Sequence, residues 1–350
     1  MQRNFPTHCF FSSLLKIFFL GVVFCGFVFP ALFFAQTSVD PSLKNRSITI
    51  AWEEPISPIF APFFLALGQD IFKKNNLEVK IVQNLPYRVM EAVVNNKISM
   101  GFTSAENLLT TQSLGFRVVA FAQASFFSDL VLGVKNTSKI NRPKDLEGKK
   151  IALRGTKVEQ KIIQEMVKAD GGDFENLSFL FFSGYAPIDL QKQEWDAIFL
   201  HEGWEKIVLA EKGVELRSIK VKDFLPFNPP SSLLVAKKEW LVKNKPLVQD
   251  LLASLQHAFQ LSAEKPERSM DSFLEKQPDF SRTAVWKSFQ YYQALSGGLA
   301  DYGYVDAKNL ADYGKWLKNQ KLLVEDLPIE ETFTNSFFQN KRLSNGSSSP

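Results

Sequence analysis

The sequence predicts an α/β fold of two lobes, and three stretches carry that prediction. Ile48–Lys74 reads as strand, short loop and helix. Asn141–Leu153 opens a second unit of the same kind. Trp195–Glu205 runs from a strand into a helix start. In open α/β sheets, ligands bind beyond the carboxyl ends of strands, near helix N-termini. The strand ends at Trp52, Thr103 and Leu200 are therefore expected to face one cleft.

Ile48-Thr49-Ile50-Ala51-Trp52 is short, apolar and β-branched, as a buried strand is. Glu53-Glu54-Pro55 stops it, because proline cannot continue a central strand. Ser57-Pro58 is an N-cap followed by proline at the first helical position. Phe60, Phe63, Phe64, Leu67 and Ile71 then recur at helical spacing and form one apolar face. Leu77–Val82 alternates with period two, the pattern of a half-buried or edge strand. Pro86–Asn95 is helical. Ser99–Thr103 is a short strand that gives way to a helix at Ser104-Ala105-Glu106. Phe116–Ala124 and Asp129–Lys135 are further strands.

In the second unit Pro143 starts a single helical turn, Gly148 ends it, and a buried strand runs to Leu153. Arg154-Gly155-Thr156 then precedes an amphipathic helix through about Lys168. Backbone N–H groups there could hold an anion. The plainer reading, a strand-to-helix turn with a solvated arginine, is favoured. Asn176–Phe182 and Trp195–Leu200 are strands, with a turn at Ser183–Pro187 after the first. Phe224–Pro230 is a stiff loop and Ser231–Ala236 a strand. Lys238–Lys321 is helical, with Pro246 and Pro266 at helix starts and Gly297-Gly298 in a loop. The polar tail from Thr332 is expected to be disordered. Two crossings are expected, near Val134–Lys139 and Phe224–Ser232. Lobe one then holds residues 48–135 and 231–331, and lobe two 136–230.

The chain has 350 residues, enough for two domains, and a formal net charge of +4, which gives no signal for a nucleic-acid partner. In Met1–Gln36, Arg3, His8 and Lys16 precede or enter a nearly unbroken apolar run, Ile17–Ala35. This is a secretory signal or an uncleaved membrane anchor, and residues 37–47 are a linker. Both cysteines, Cys9 and Cys25, lie in that segment. The body therefore has neither a disulfide framework nor a thiolate metal site. Lipidation at Cys25 is disfavoured by the bulky Phe24 before it.

Several motifs in order resemble the periplasmic binding proteins of ABC importers for nitrate, sulfonates, taurine and thiamine-type pyrimidines. They are Trp52, Ala61-Pro62-Phe63-Phe64, and Ile71-Phe72-Lys73-Lys74-Asn75-Asn76-Leu77-Glu78-Val79. The usual glycine before Leu77 is Asn76 here. Ala92–Phe102 is similar to a second element, with Asn96 for glycine and Ser99 for aspartate. Pro143-Lys144-Asp145-Leu146-Glu147-Gly148-Lys149-Lys150-Ile151 is close to the element that opens the second lobe of type II binding proteins. Asp196-Ala197 and Gly203-Trp204-Glu205 resemble further family elements, although Glu202 stands where pyrimidine-binding members have an aromatic. The resemblance implies the type II fold: each lobe a mostly parallel sheet flanked by helices, with extra C-terminal helices. It also implies an extracytoplasmic location, a small-molecule ligand captured by hinge closure, and an ABC permease and its ATPase as partners.

The candidate ligand residues are Trp52, Glu53, Phe60, Ser104, Glu106, Tyr185, Glu202, Trp204, Glu205 and Asn228. Trp52, Trp204 and Tyr185 stack a flat ring, with Phe60 and Phe227 as apolar walls. Glu53, Glu202 and Glu205 accept hydrogen bonds from amino groups. Carboxylates repel an oxyanion, so a thiamine-precursor pyrimidine or another flat heterocycle such as a flavin is favoured over a sulfonate, taurine or nitrate. For Trp52 the competing reading is a core residue with solvated glutamates beside it. For Glu202 and Glu205 it is a helix start that favours acidic side chains. An enzyme resembling the pyrimidine-precursor synthases of this fold is the rival. Those use histidine and clustered cysteines, whereas the body here has no cysteine and only His201 and His257. No cofactor, metal or catalytic residue is expected.

Overall fold

The computed structural model describes residues 46–53, 56–83, 85, 88–125, 128–182, 194–295, 303–325 and 327–338, all within the unit Asp40–Pro350. The expectations for the apolar N-terminal run, both cysteines, Glu54-Pro55, Tyr185 with its turn, Gly297-Gly298 and residues 339–350 lie outside them. No helix among the described residues is long and apolar enough to cross a membrane.

Two five-stranded sheets form. The first is built from β1 (Ser47–Trp52), β2 (Glu78–Ile81), β3 (Met100–Thr103), β4 (Val118–Gln123) and β10 (Leu233–Lys237). Its order is β2-β1-β3-β10-β4. The second contains β5 (Leu130–Lys135), β6 (Lys150–Leu153), β7 (Ser178–Phe181), β8 (Ala197–His201) and β9 (Leu216–Lys220), in the order β7-β6-β8-β5-β9. β1 pairs parallel with β2 and β3, and β6 with β7 and β8. β10 and β5 run antiparallel to both their neighbours. Each sheet is thus mostly parallel, with one reversed strand next to the centre.

The alternating stretch after Leu77 is the edge strand β2, as its period predicts. One crossing falls where expected, between β9 and β10. The other does not. β5 pairs with β8 and β9, so the chain leaves the first sheet after Gln123, and the crossing expected near Val134–Lys139 lies before Leu130 instead. An apolar strand such as Leu130–Lys135 suits the middle of either sheet, so its composition cannot assign it. β9, with its LRSIK sequence, is an edge strand absent from the sequence reading. The tail is also corrected. Phe333 bridges to Ala120, and Phe337 and Phe338 are buried, so the chain packs on the fold through Phe338.

Helices cover both sheets: α1 (Ala61–Gly68), α2 (Ile71–Lys74), α3 (Val89–Val94), α4 (Ala105–Ser113), α5 (Lys157–Ala169), α6 (Glu205–Glu211), α7 (Lys238–Lys243), α8 (Lys245–Glu264), α9 (Pro266–Lys276), α10 (Arg282–Leu295) and α11 (Ala307–Asn319). Pro58 opens a 3-10 turn that leads into α1. The phenylalanines at helical spacing are buried, and α1 packs on α8 and α9. α5 starts with a capping box between Thr156 and Glu159 and buries Val158, Ile162, Ile163, Met166 and Val167. Asn76 and Asn96 sit at φ +55° and +56°. Asparagine tolerates this left-handed conformation better than most residues, which explains why it can stand where the resembling family has glycine.

Candidate functional site

The carboxyl ends of β1 and β3 in one sheet and β6 and β8 in the other meet at a single region. Glu53, Ser104 and Arg154 follow their strands there, and His201 is the last residue of β8. They line an inner cavity of about 280 Å³, together with Phe60, Glu106, Asp129, Glu159, Trp204, Glu205, Tyr292 and the crossing segment Pro229–Ser232. An open cleft of about 1330 Å³ adjoins it and shares Glu53, Glu106, Asn107, Arg154, Thr156 and Val158. Trp52, Arg88 and Lys157 line the cleft but not the cavity.

Two charge clusters shape the wall. In the first, the Arg154 guanidinium pairs with Glu205 and lies 3.6 Å from Glu159. Glu205 also accepts the His201 backbone N–H at 3.0 Å. Burial pushes the Glu159 carboxyl above its usual range, against the pull of Arg154 and three backbone N–H groups. In the second, the Asp129 carboxylate faces His201 Nδ1 at 2.7 Å, and accepts from the Gly203 N–H at 2.9 Å and the Tyr292 hydroxyl at 3.0 Å. Burial works against the charged form of His201. The Asp129 and Glu205 carboxylates outweigh it and raise the imidazolium to about 9. Burial likewise opposes ionisation of Asp129, but His201, Gly203 and Tyr292 hold its carboxyl below the usual range. At neutral pH this site is an ion pair.

The expected residues fall into distinct places. Glu53, Ser104, Glu106 and Phe60 line the cavity. Glu53 accepts the Thr103 hydroxyl at 2.6 Å, and Ser104 caps α4 through the Asn107 N–H at 3.2 Å. Trp52 lines the cleft and is also half-buried in an aromatic cluster. It stacks on Phe102 at 5.2 Å and on Phe64 at 5.9 Å, and meets Phe63 edge-on at 5.0 Å. Trp204 lines the cavity but does not stand in an open cleft. It is 3% exposed and packs against Phe280 at 5.1 Å. Glu205 lines the cavity with one oxygen paired to Arg154 and the other accepting the His201 backbone N–H.

Glu202 does not line the cavity. It pairs with Lys206 at 2.8 Å and accepts from the Ser218 and Tyr291 hydroxyls. Burial disfavours its charge, but these partners hold its carboxyl below the usual range. Asn228 fastens the two crossings instead. Its side chain donates to the Ser128 carbonyl at 3.0 Å, and its backbone exchanges two hydrogen bonds with the Asn309 side chain. Phe227 is no cleft wall, because it packs on Tyr313 and Trp316. Arg154 is not a solvated turn residue either, being held between two carboxylates. Asp129, Glu159, Tyr292 and Ser232 are lining residues that the sequence reading does not include among its candidates. Only Glu159 had a local signal, as the fourth residue of a capping box. Among the described residues no group of three or more His, Cys, Asp or Glu is arranged to hold a metal ion.

A sequence model described as "NMT1/THI5 like" matches residues 57–269. No curated protein sequence matches the chain. Many solved structures are similar, among them these three. The periplasmic aliphatic sulphonate binding protein SsuA from Escherichia coli is 17% identical with a TM-score of 0.67, over 84% of this chain and 99% of that one. The periplasmic nitrate-binding protein NrtA from Synechocystis PCC 6803 is 12% identical with a TM-score of 0.62, over 83% and 87%. The desulfurization enzyme DSZB is 12% identical with a TM-score of 0.58, over 83% and 97%. At these identities the likeness is one of fold. This chain has the two-lobed α/β fold of periplasmic binding proteins.

Proposed function

The chain belongs to the NMT1/THI5-like family, and from that premise we propose that it is the extracytoplasmic substrate-binding component of an ABC importer. It captures a small flat heterocycle bearing amino groups, with a thiamine-precursor pyrimidine as the favoured example. Its partners are a permease and its ATPase, and it uses no cofactor. The observation that carries this reading is the cavity between the carboxyl ends of the two sheets. Aromatic side chains line it, and Glu53 and Glu106 reach it from the first lobe. Donors on an aminopyrimidine suit such acceptors. The relatives named for sulphonate and nitrate bind oxyanions, which these carboxylates would repel.

Two lobes joined by two crossings pivot as a hinge. A ligand that touches both lobes binds the closed state better and shifts the population toward it. We read the chain as a binder and not as an enzyme of this fold. Its body has no cysteine, and of its two histidines His201 is held in an ion pair.

The test is native mass spectrometry of the exported chain purified from cells, followed by scattering with the molecule it retains. A retained small heterocycle that compacts the protein is the expected result. Identical scattering curves with and without saturating ligand would rule out closure, and a retained sulfonate or nitrate would rule out the heterocycle.

A further inference from the structure

The inner cavity differs in charge from the cleft outside it. Among the described residues five carboxylates line it, against one guanidinium and one imidazole. With His201 charged, an excess of three negative charges remains, or two where Glu159 is protonated. Low-dielectric walls strengthen such a field. The cleft outside carries Arg88 and Lys157, so the excess belongs to the cavity.

Most of these acids are already engaged by Arg154, His201 and Tyr292. Glu53 is different. The Thr103 hydroxyl occupies one of its oxygens, and no described residue pairs with the other. A second observation is independent of charge. Ser232 and Trp204 line the same cavity and are 6% and 3% exposed. The Ser232 hydroxyl and the Trp204 indole N–H have no hydrogen-bond partner among the described residues. Buried polar groups are nearly always satisfied, and an orphan costs stability until a partner arrives. An indole N–H can only donate, so the missing partner of Trp204 is an acceptor.

We infer that the cavity takes an organic cation: a flat ring with a protonated amine or amidine facing Glu53 and a hydrogen-bond acceptor facing Trp204 and Ser232. This rests on the importer reading and narrows its ligand to one charge class. Neutral rings of the same shape bind more weakly, because they leave the acidic field uncompensated. Anions are excluded by it.

Three ring probes of similar size separate the classes: benzamidine, benzamide and benzenesulfonate. Each is titrated against the intrinsic fluorescence of the full exported chain. Benzamidine is expected to bind at least tenfold more tightly than benzamide, and benzenesulfonate not at all. Glu53→Gln is expected to abolish the preference for benzamidine over benzamide. Glu106→Gln, at the other first-lobe carboxylate lining the cavity, repeats the test should Glu53→Gln lower the thermal midpoint. Benzenesulfonate or benzamide binding as tightly as benzamidine overturns the inference, as does silence from all three. None of those results touches the importer reading, which fails only if the protein from cells retains no small molecule and no ligand compacts it.

Discussion

Replacing Asp129 by asparagine removes the carboxylate that faces the His201 ring. In an unfolded chain this imidazole titrates near 6.5, and in the folded protein near 9. Between those values the folded protein keeps a proton that the unfolded chain has lost. Stability therefore falls as pH rises. The contribution is complete below about 6.5 and gone above about 9. Asp129 sets the acid limit, since its depressed pKa means stability is lost as pH falls below 3.8, through its folded value. The full His201 shift corresponds to roughly 3 kcal/mol. However, 34% of the His201 side chain is exposed, and solvent screening reduces this to about 1–2 kcal/mol. Urea unfolding at several pH values between about 6 and about 9 measures it. The wild-type chain should lose about 1–2 kcal/mol more than Asp129→Asn across that window. The slope is the readout, so any constant cost of the vacated hydrogen bonds cancels. Parallel curves for the two proteins would refute the ion pair.

Gly203 sits under two rings. A Cβ there would lie 2.5 Å from Tyr291 Cδ1 and 2.7 Å from Tyr292 Cζ, so Gly203→Ala should cost about 1–3 kcal/mol by overpacking, and unchanged urea unfolding would contradict it. Trp204→Ala empties a buried site on Phe280 and should cost roughly 3–5 kcal/mol, whereas a loss below about 1 kcal/mol would mean the indole faces solvent after all. Arg154→Ala leaves Glu205 buried without its cation and should cost on the order of 3–5 kcal/mol, with an unchanged unfolding midpoint as the opposing result. Trp52→Ala should lower stability through its lost contacts with Phe64 and Phe102, and an unchanged thermal midpoint would contradict it.

Local chemistry made much of this legible. The strand ends at Trp52, Thr103 and Leu200 were placed by breaks that elementary backbone rules explain. The Pro143–Gly148 turn and the capping box at Thr156 are of the same kind. What stayed hidden depends on distance along the chain. Asp129 and His201 are 72 positions apart, and nothing beside Asp129 marks it as the partner of a histidine. Tyr292 is one aromatic among several on a helix, and only the packing of α10 on α6 brings it to the cavity. Trp204 shows the opposite failure. A tryptophan at a helix start looks exposed in sequence, but Phe280, from beyond α9, covers it.

The reversed strand of the first sheet has a consequence for how the protein comes into being. β10 separates β3 from β4, and it is the last of the ten strands among the described residues. The second sheet is complete in sequence at Lys220, before any residue of β10. Domains form in the order of synthesis when their parts are contiguous, and distant pairings form slowly. The first lobe is thus the later one to assemble, although its residues come first. A chain cut short before Leu233 leaves β3 and β4 each with an unpaired edge. Such edges recruit strands from other molecules, so truncated products of this protein should aggregate through the N-terminal lobe.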